Sequence, residues 1–488
     1  MEIKSIRLQN FKGFRDATLK LKPLTVILGP NSAGKSCFGQ ALVALSKSNA
    51  EKDVPSLAFE ESSSVEFGSY SDLIHTGCEG QLVAIQLELS SSLVNLGFGP
   101  VNIKAGIKDL DIRKMEIWEH AQLTLGSKQP SPESVSQTIK MPYLDVTQTL
   151  FKKVEELTRG TNREWNVIND TSYDADLKIN KSHSQNVNVK FHGITIDTVS
   201  HLTGTGVNIN EVAPKSKLRF DYLASLLRGV SYLRPDREPP RRKRTISKNA
   251  VPTIDDRGDG TDWYIHENKQ LKVDTFYFPD PSTDKEQNKS ILSEYFESEP
   301  QEKYLPDALS IWLDKLGLAS SMDIRLIDDD RSIQAVATPK GQHSPKPLTD
   351  LGFGVSQVLP ILVKGLTIKK EDILVVEQPE AQLHPKPQAG LADFFCAMVK
   401  CGRNVIVETH SVELFHRLRL RASMDDELAE KIAVYFLHEP QDGACCEPIL
   451  VPLIEEDELD WPKGFLPEGM EKEMEILATR LARMESSS

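Results

Sequence analysis

The sequence predicts an α/β fold, a mixed and largely parallel sheet covered by helices and split by an α+β insertion domain. Three observations predict it. A glycine-rich loop, residues 29–36, joins an apolar strand to a helical stretch. Short apolar, β-branched segments at 24–28, 372–377, 404–408 and 431–437 alternate with helical spacings, the pattern of strands buried on both faces. Between the part of the chain that holds the first of these segments and the part that holds the others lie about 250 residues, enough for a domain.

The elements follow in order. Leu24 to Leu28 is a five-residue apolar strand, and Ser36 to Ser48 carries Phe38, Ala41, Leu42 and Leu45 at helical spacing. The loop between them, Gly29-Pro30-Asn31-Ser32-Ala33-Gly34-Lys35-Ser36, fits the GxxxxGK[ST] pattern. In that pattern glycines let backbone N–H groups turn toward phosphate oxygens, and the helix N-terminus adds partial positive charge. Lys35 supplies a point charge for the β- and γ-phosphates, and Ser36 offers a hydroxyl to Mg²⁺. The strand from Asp372 ends in Glu377, the form of a Walker B strand whose acid holds Mg²⁺. Gln378, Glu380 and His384 follow it. Gln388 to Lys400 reads as a helix, the strand Asn404 to Glu408 runs into Thr409-His410-Ser411, and Lys431 to Leu437 is the last strand of the set.

Composition narrows the class. The chain has 488 residues, room for about three domains, a net charge of −13, 39% hydrophobic and 26% charged residues. That balance fits a globular protein and argues against one that coats nucleic acid through general basicity. The longest apolar stretch, Val355 to Ile368, is too short and too polar to span a bilayer. The N-terminus begins as an alternating strand without the run of a signal peptide. Six cysteines form neither a disulfide framework nor paired zinc spacing, so a reduced, cytoplasmic protein with no membrane contact is expected.

At these residues the chain resembles a known group. The opening IKSIRLQNFKGFRDATLKLKPLTVILGPNSAGKS is similar to the N-terminal lobe of ABC-type AAA ATPases of the OLD, RecF and SMC kind. EQPEAQLHP with the later ETHS resembles their Walker B, D-loop and switch-histidine region. Leu348 to Gln357 stands where the ABC signature stands and resembles the GxGxSQ form of the OLD-like prokaryotic proteins. SYLRPDREPPR at 231–241 and DELDWPKGF at 457–465 resemble a subfamily with a short tail. The resemblance covers roughly the first 80 and last 140 residues.

The resemblance implies two heads sandwiching two ATP molecules with Mg²⁺, in a homodimer or higher homo-oligomer. Gly354, Ser356 and Gln357 of one copy would then face the γ-phosphate held by Gly29, Lys35 and Ser36 of the other. His410 would contact that phosphate and report hydrolysis. Relatives usually place Glu, the general base, after the Walker B acid, whereas this chain has Gln378. Gln can orient water but cannot accept a proton near neutral pH, so slow hydrolysis is expected, with Glu380 as the other candidate base. His384 reads as a structural loop residue.

The expected domains are an N-terminal ATPase lobe (1–105), an insertion domain (106–340), a C-terminal ATPase lobe (341–454) and an acidic, aromatic tail with a final helix (455–488). Gly80 to Ser90 alternates as a strand. Tyr143 to Thr158 and Leu218 to Leu227 read as helices, and residues 159–215 as small strands and loops. No heptad pattern persists, which argues against a long coiled coil. One basic stretch, Arg237, Arg241, Arg242, Lys243 and Arg244, could meet DNA or RNA phosphates, could reach a nucleotide across a dimer, or could be a solvated loop. The 78 residues after His410 are too few for the Toprim-type nuclease that OLD proteins often carry. The function that the resemblance implies is a switch or scaffold that acts through a partner effector, a nuclease or toxin, in anti-phage defence. A RecF-like DNA-repair ATPase and a non-hydrolysing ATP switch are the alternatives.

Overall fold

A computed structural model describes residues 2–47, 65, 72–78, 83–90, 223, 225–246, 251–279, 299–327, 332–438 and 447–453, and elsewhere the backbone of further strand and helix segments between residues 48 and 207. The chain divides into two compact units. One comprises Met1–Leu21, Ser36–Val230 and Asp442–Glu447, the other Lys22–Lys35, Ser231–Gln441 and Pro448–Ser488. The predicted helix 143–158 and the tail 455–488 lie outside the described residues.

In the first unit, Ile3–Phe11 pairs antiparallel with Phe14–Lys20 and with Val83–Leu89. Phe11 pairs with Phe14, leaving a two-residue turn in which Lys12 takes φ 48° beside Gly13. Positive φ in such a turn matches the twist of the strands it joins. Val83, Ile85, Leu87 and Leu89 are buried at every second position, as the alternation predicts. Ser92–Pro100 and Leu110–Glu119 extend this sheet. A separate six-stranded sheet occupies the stretch between Trp165 and Val207, where small strands are expected. The helix Ser36–Glu51 contributes Phe38, whose ring lies 5.2 Å from that of Phe14.

The second unit holds a six-stranded mixed sheet. Its order is Val230–Leu233, Ile373–Glu377, Asn404–Glu408, Leu24–Leu28, Ile432–Phe436, Ile449–Val451. The four strands from Ile373–Glu377 to Ile432–Phe436 are parallel and the last is antiparallel. Every residue of those four parallel strands is buried, which only a sheet covered on both faces allows. The earliest strand in sequence thus sits between two that come about 380 residues later.

One boundary differs from expectation. Residues 231–340, assigned to the insertion, share a unit with the parallel sheet. Leu233, Ile265, Leu305, Trp312 and Ile333 lie in one apolar core with Leu24, Val26 and Val376. The physical reason is that the apolar faces of this segment, including the helix Leu305–Lys315, are buried in that core and not in one of their own. Leu24–Lys35, expected with the N-terminal lobe, also groups with this unit because its strand lies in the centre of the parallel sheet.

Gly365 in the helix Phe353–Thr367 is a point of close approach. A Cβ there would meet the Phe394 ring at 2.7 Å and the Met398 sulfur at 2.9 Å, both on the helix Pro385–Lys400. Phe394 is fully buried against Trp312, ring centroids 5.0 Å apart, and has no free space to yield. Gly365→Ala should therefore overpack the core and lower stability by about 1–3 kcal/mol, read in urea titration as a lower midpoint at unchanged slope.

Candidate functional site

The loop after Leu24–Leu28 has a backbone suited to glycine. Gly29 takes φ 150°, and a Cβ there would stand 2.4 Å from the Leu437 carbonyl oxygen. Leu437 N–H donates to Leu28 O at 2.9 Å, which holds that carbonyl close. Ser32 and Gly34 also take positive φ, 63° and 87°, so the chain turns tightly. Asn31 and Ser32 are exposed, Ala33 is buried, and Ser36 follows directly as the first residue of the helix Ser36–Glu51. Lys35 is only 4% exposed and donates from Nζ to Pro30 O at 2.6 Å. Burial pushes its pKa below the ordinary value, while Glu408, Glu380 and Glu377 oppose that shift in decreasing order.

The carboxylates reach Lys35 because the parallel strands end in register. Glu377 pairs with Glu408, and Glu408 pairs with Ile27 just before the loop. Glu377 is 5% exposed, and the Tyr232 hydroxyl donates to its Oε1 at 2.8 Å. Burial, then the charge of Glu377, pushes the Tyr232 pKa up, so it stays a donor. Lys364 Nζ donates to Tyr232 O at 2.9 Å.

Gln378 takes φ 43°, an unusual conformation for a residue with a side chain, while its N–H continues the strand ladder to Glu408 O at 2.8 Å. The chain thereby leaves the strand abruptly and brings Glu380 to the next strand end. There Glu380 accepts from Thr409 Oγ1 and from the His410 backbone N–H, each at 2.7 Å. Glu380 is thus a clamp on the Thr409–His410 segment. Partial burial and then the Lys35 charge lower the His410 pKa, with Glu380 and the Gly29 backbone opposing. Ser411 accepts from Leu414 N–H at 3.0 Å, capping the helix Val412–Met424, and donates to Gln388 Oε1 at 2.7 Å. His384 is exposed and stands at the N-cap of Pro385–Lys400, in line with a loop role.

Two expectations need correction. Arg237 is not a surface cation for nucleic acid. It is 5% exposed and donates to the carbonyls of Glu377 (2.7 Å) and Gln378 (3.3 Å), with burial lowering its pKa to about 10. Nor are its neighbours a bare basic patch. Arg241 and Arg244 pair with Asp259, Arg244 also with Asp262, and Arg242 with Asp350. Lys243 is exposed. In the signature segment, Gly354 is partly exposed, but Ser356 and Gln357 are buried in their own chain, and Ser356 Oγ donates to Phe353 O at 2.8 Å. The part that faces outward is the helix start, Gly352 and Phe353, the latter 55% exposed.

Tyr232, Arg237 and Glu408 acquire roles that residue patterns did not assign. Tyr232 and Arg237 lie about 140 positions from Glu377 in sequence. The available signal was the SYLRPDREPPR patch, which carried a resemblance but no chemistry. Glu408 was visible as a strand-end acid on an adjacent strand, and that was a usable signal.

The sequence model of the family described as AAA ATPase domain matches residues 1–415. The chain belongs to this family. No curated protein matches it. Among solved structures it is similar to an SMC head bound to the C-winged helix domain of ScpA, at 11% identity and TM-score 0.40, covering 93% of this chain and 99% of that one. It is also similar to the SMC head domain from Thermotoga maritima, at 13% identity and TM-score 0.33, covering 93% and 100%. A third is an Smc head with an extended coiled coil bound to the C-terminal domain of ScpA derived from Pyrococcus furiosus, at 11% identity and TM-score 0.35, covering 98% and 99%. Likeness at these scores assigns no activity or partner to this chain. Among the described residues, no helix of this AAA ATPase is long and apolar enough to cross a membrane.

The residues fit a magnesium nucleotide. Gly29 has no room for a side chain, and Lys35 is a buried cation in the field of Glu408, Glu380 and Glu377. Among the described residues, no group of three or more His, Cys, Asp or Glu could hold a metal alone. The electrostatics of His410 can be checked by NMR titration. Its imidazole should titrate below 6.5, the ordinary value, and Lys35→Met should move the midpoint upward by removing a nearby positive charge.

Proposed function

We propose that this AAA ATPase binds ATP with Mg²⁺, hydrolyses it slowly, and works as a homodimer or higher homo-oligomer. In this reading it is a cytoplasmic switch or scaffold that passes its nucleotide state to a partner effector, a nuclease or toxin, in prokaryotic anti-phage defence. The observation that carries the nucleotide reading is the meeting of Lys35, Glu377, Glu380 and His410 at one edge of the parallel sheet. The defence setting and effector draw their support from the resemblance of the signature and tail to OLD-like proteins.

In this reading, backbone N–H groups of residues 29–35 and the Lys35 amine hold the phosphates. Ser36 and Glu377 hold Mg²⁺, which when bound would neutralise phosphate charge as it shifts during transfer. Tyr232 fixes one oxygen of Glu377, leaving the carboxylate with a defined orientation. Gln378 orients water without taking its proton. Glu380 keeps the His410 backbone in place, so His410 can respond to the γ-phosphate. Gly354 and the start of its helix are the part of the signature available to a second copy's nucleotide.

A switch with negligible turnover has its own support. Gln378 cannot act as a base, and both Glu380 oxygens already accept hydrogen bonds from Thr409 and His410. Gln378→Glu separates the two readings. Steady-state phosphate release should rise by about tenfold or more with ATP affinity kept. If turnover stays unchanged there and Glu380→Ala abolishes it, the base is Glu380. Lys35→Ala should abolish ATP binding in equilibrium titration, and retained binding would contradict the nucleotide site itself.

A further inference from the structure

A second cleft, of about 660 Å³, lies among the helices Leu305–Lys315, Pro385–Lys400 and Val412–Met424, within the range of small-molecule sites. Its charged lining comprises Lys315, Lys340, Lys386 and Arg417 against Asp314 and Asp393. The two carboxylates are already engaged. Asp393 takes two hydrogen bonds from the fully buried Arg421, at 2.7 and 3.1 Å, and Asp314 pairs with Lys340 at 3.0 Å. The remaining cations are under-served. Arg417 stands 3.9 Å from Asp393, and its Nη1 is buried with no hydrogen-bond partner. Lys315 donates to a neutral acceptor, Phe278 O, at 2.9 Å. Lys386 is exposed at the rim and has no carboxylate partner among the described residues.

We propose that this cleft binds a small organic polyanion bearing phosphate or carboxylate groups, at a site separate from the nucleotide loop. Lys315, Lys386 and Arg417 line the cleft without a carboxylate at hydrogen-bond distance, and an anionic oxygen is the acceptor that makes the strongest hydrogen bonds with such cations. Two further cations on different helices allow a second anionic group to be met at the same time. The proposal stands on the cleft alone and does not rest on the ATPase reading.

The test is calorimetric titration with two probes, inorganic pyrophosphate and citrate, on the full chain carrying Lys35→Ala, which silences the glycine-rich loop. One saturable site should appear for at least one probe, and the tighter probe tells phosphate from carboxylate. Affinity should fall about tenfold or more in Arg417→Gln and in Lys386→Gln, the loss of one charge-assisted hydrogen bond each. Lys386 lies at the surface, so that variant keeps the test valid even if Arg417→Gln misfolds. No saturable binding below about 10 mM for either probe would overturn the proposal, as would affinity unchanged in both Lys386→Gln and Lys315→Gln.

Discussion

The Lys35 amine is buried within the field of Glu408, Glu380 and Glu377, and the rest of the second unit is arranged so that these groups meet. A lysine in that position loses hydration, and only nearby negative charge or a bound anion makes up the loss. Strand register brings the carboxylates there. Glu377 and Glu408 are paired across parallel strands whose neighbour, Leu24–Leu28, opens into the glycine loop. A slip of one residue would turn each side chain to the opposite face of the sheet and dismantle the arrangement. The fully buried strands resist such a slip, so core packing and site chemistry share one constraint.

What could be read from the residues follows sequence distance. The glycine loop, its strand and its helix are contiguous, and their pattern is local. The strands Ile373–Glu377, Asn404–Glu408 and Ile432–Phe436 were legible as apolar runs because parallel strands are buried on both faces. Tyr232 and Arg237 were not legible as partners of Glu377, since nothing in their neighbourhood says which strand they will border. Membership of residues 231–340 in the same core was hidden for a related reason. Long separation in sequence suggested an insertion, yet Trp312 and Phe394 pack edge to face across that separation.

The basic stretch shows how a charge run can mislead. Five cations in eight residues look like a surface for polyanions, but most of this charge is used internally. Arg237 binds the backbone at the end of the strand Ile373–Glu377, and Arg241, Arg242 and Arg244 neutralise Asp259, Asp262 and Asp350. Composition cannot show this, because the partnering aspartates lie between 15 and 108 positions away from the arginines they meet. The signature residues teach the same lesson in reverse. Ser356 and Gln357 are buried, and Gly352 and Phe353 at the helix start are what the chain presents.

In the proposed function, the loop at Gly29–Lys35 and the carboxylate of Glu377 form one magnesium–nucleotide site. Isothermal titration of ATP into Glu377→Gln, with Mg²⁺ and with a chelator, tests it most directly. The variant should bind ATP in chelator as the unaltered protein does and lose the gain in affinity that Mg²⁺ confers. A Mg²⁺ gain equal to that of the unaltered protein would contradict it.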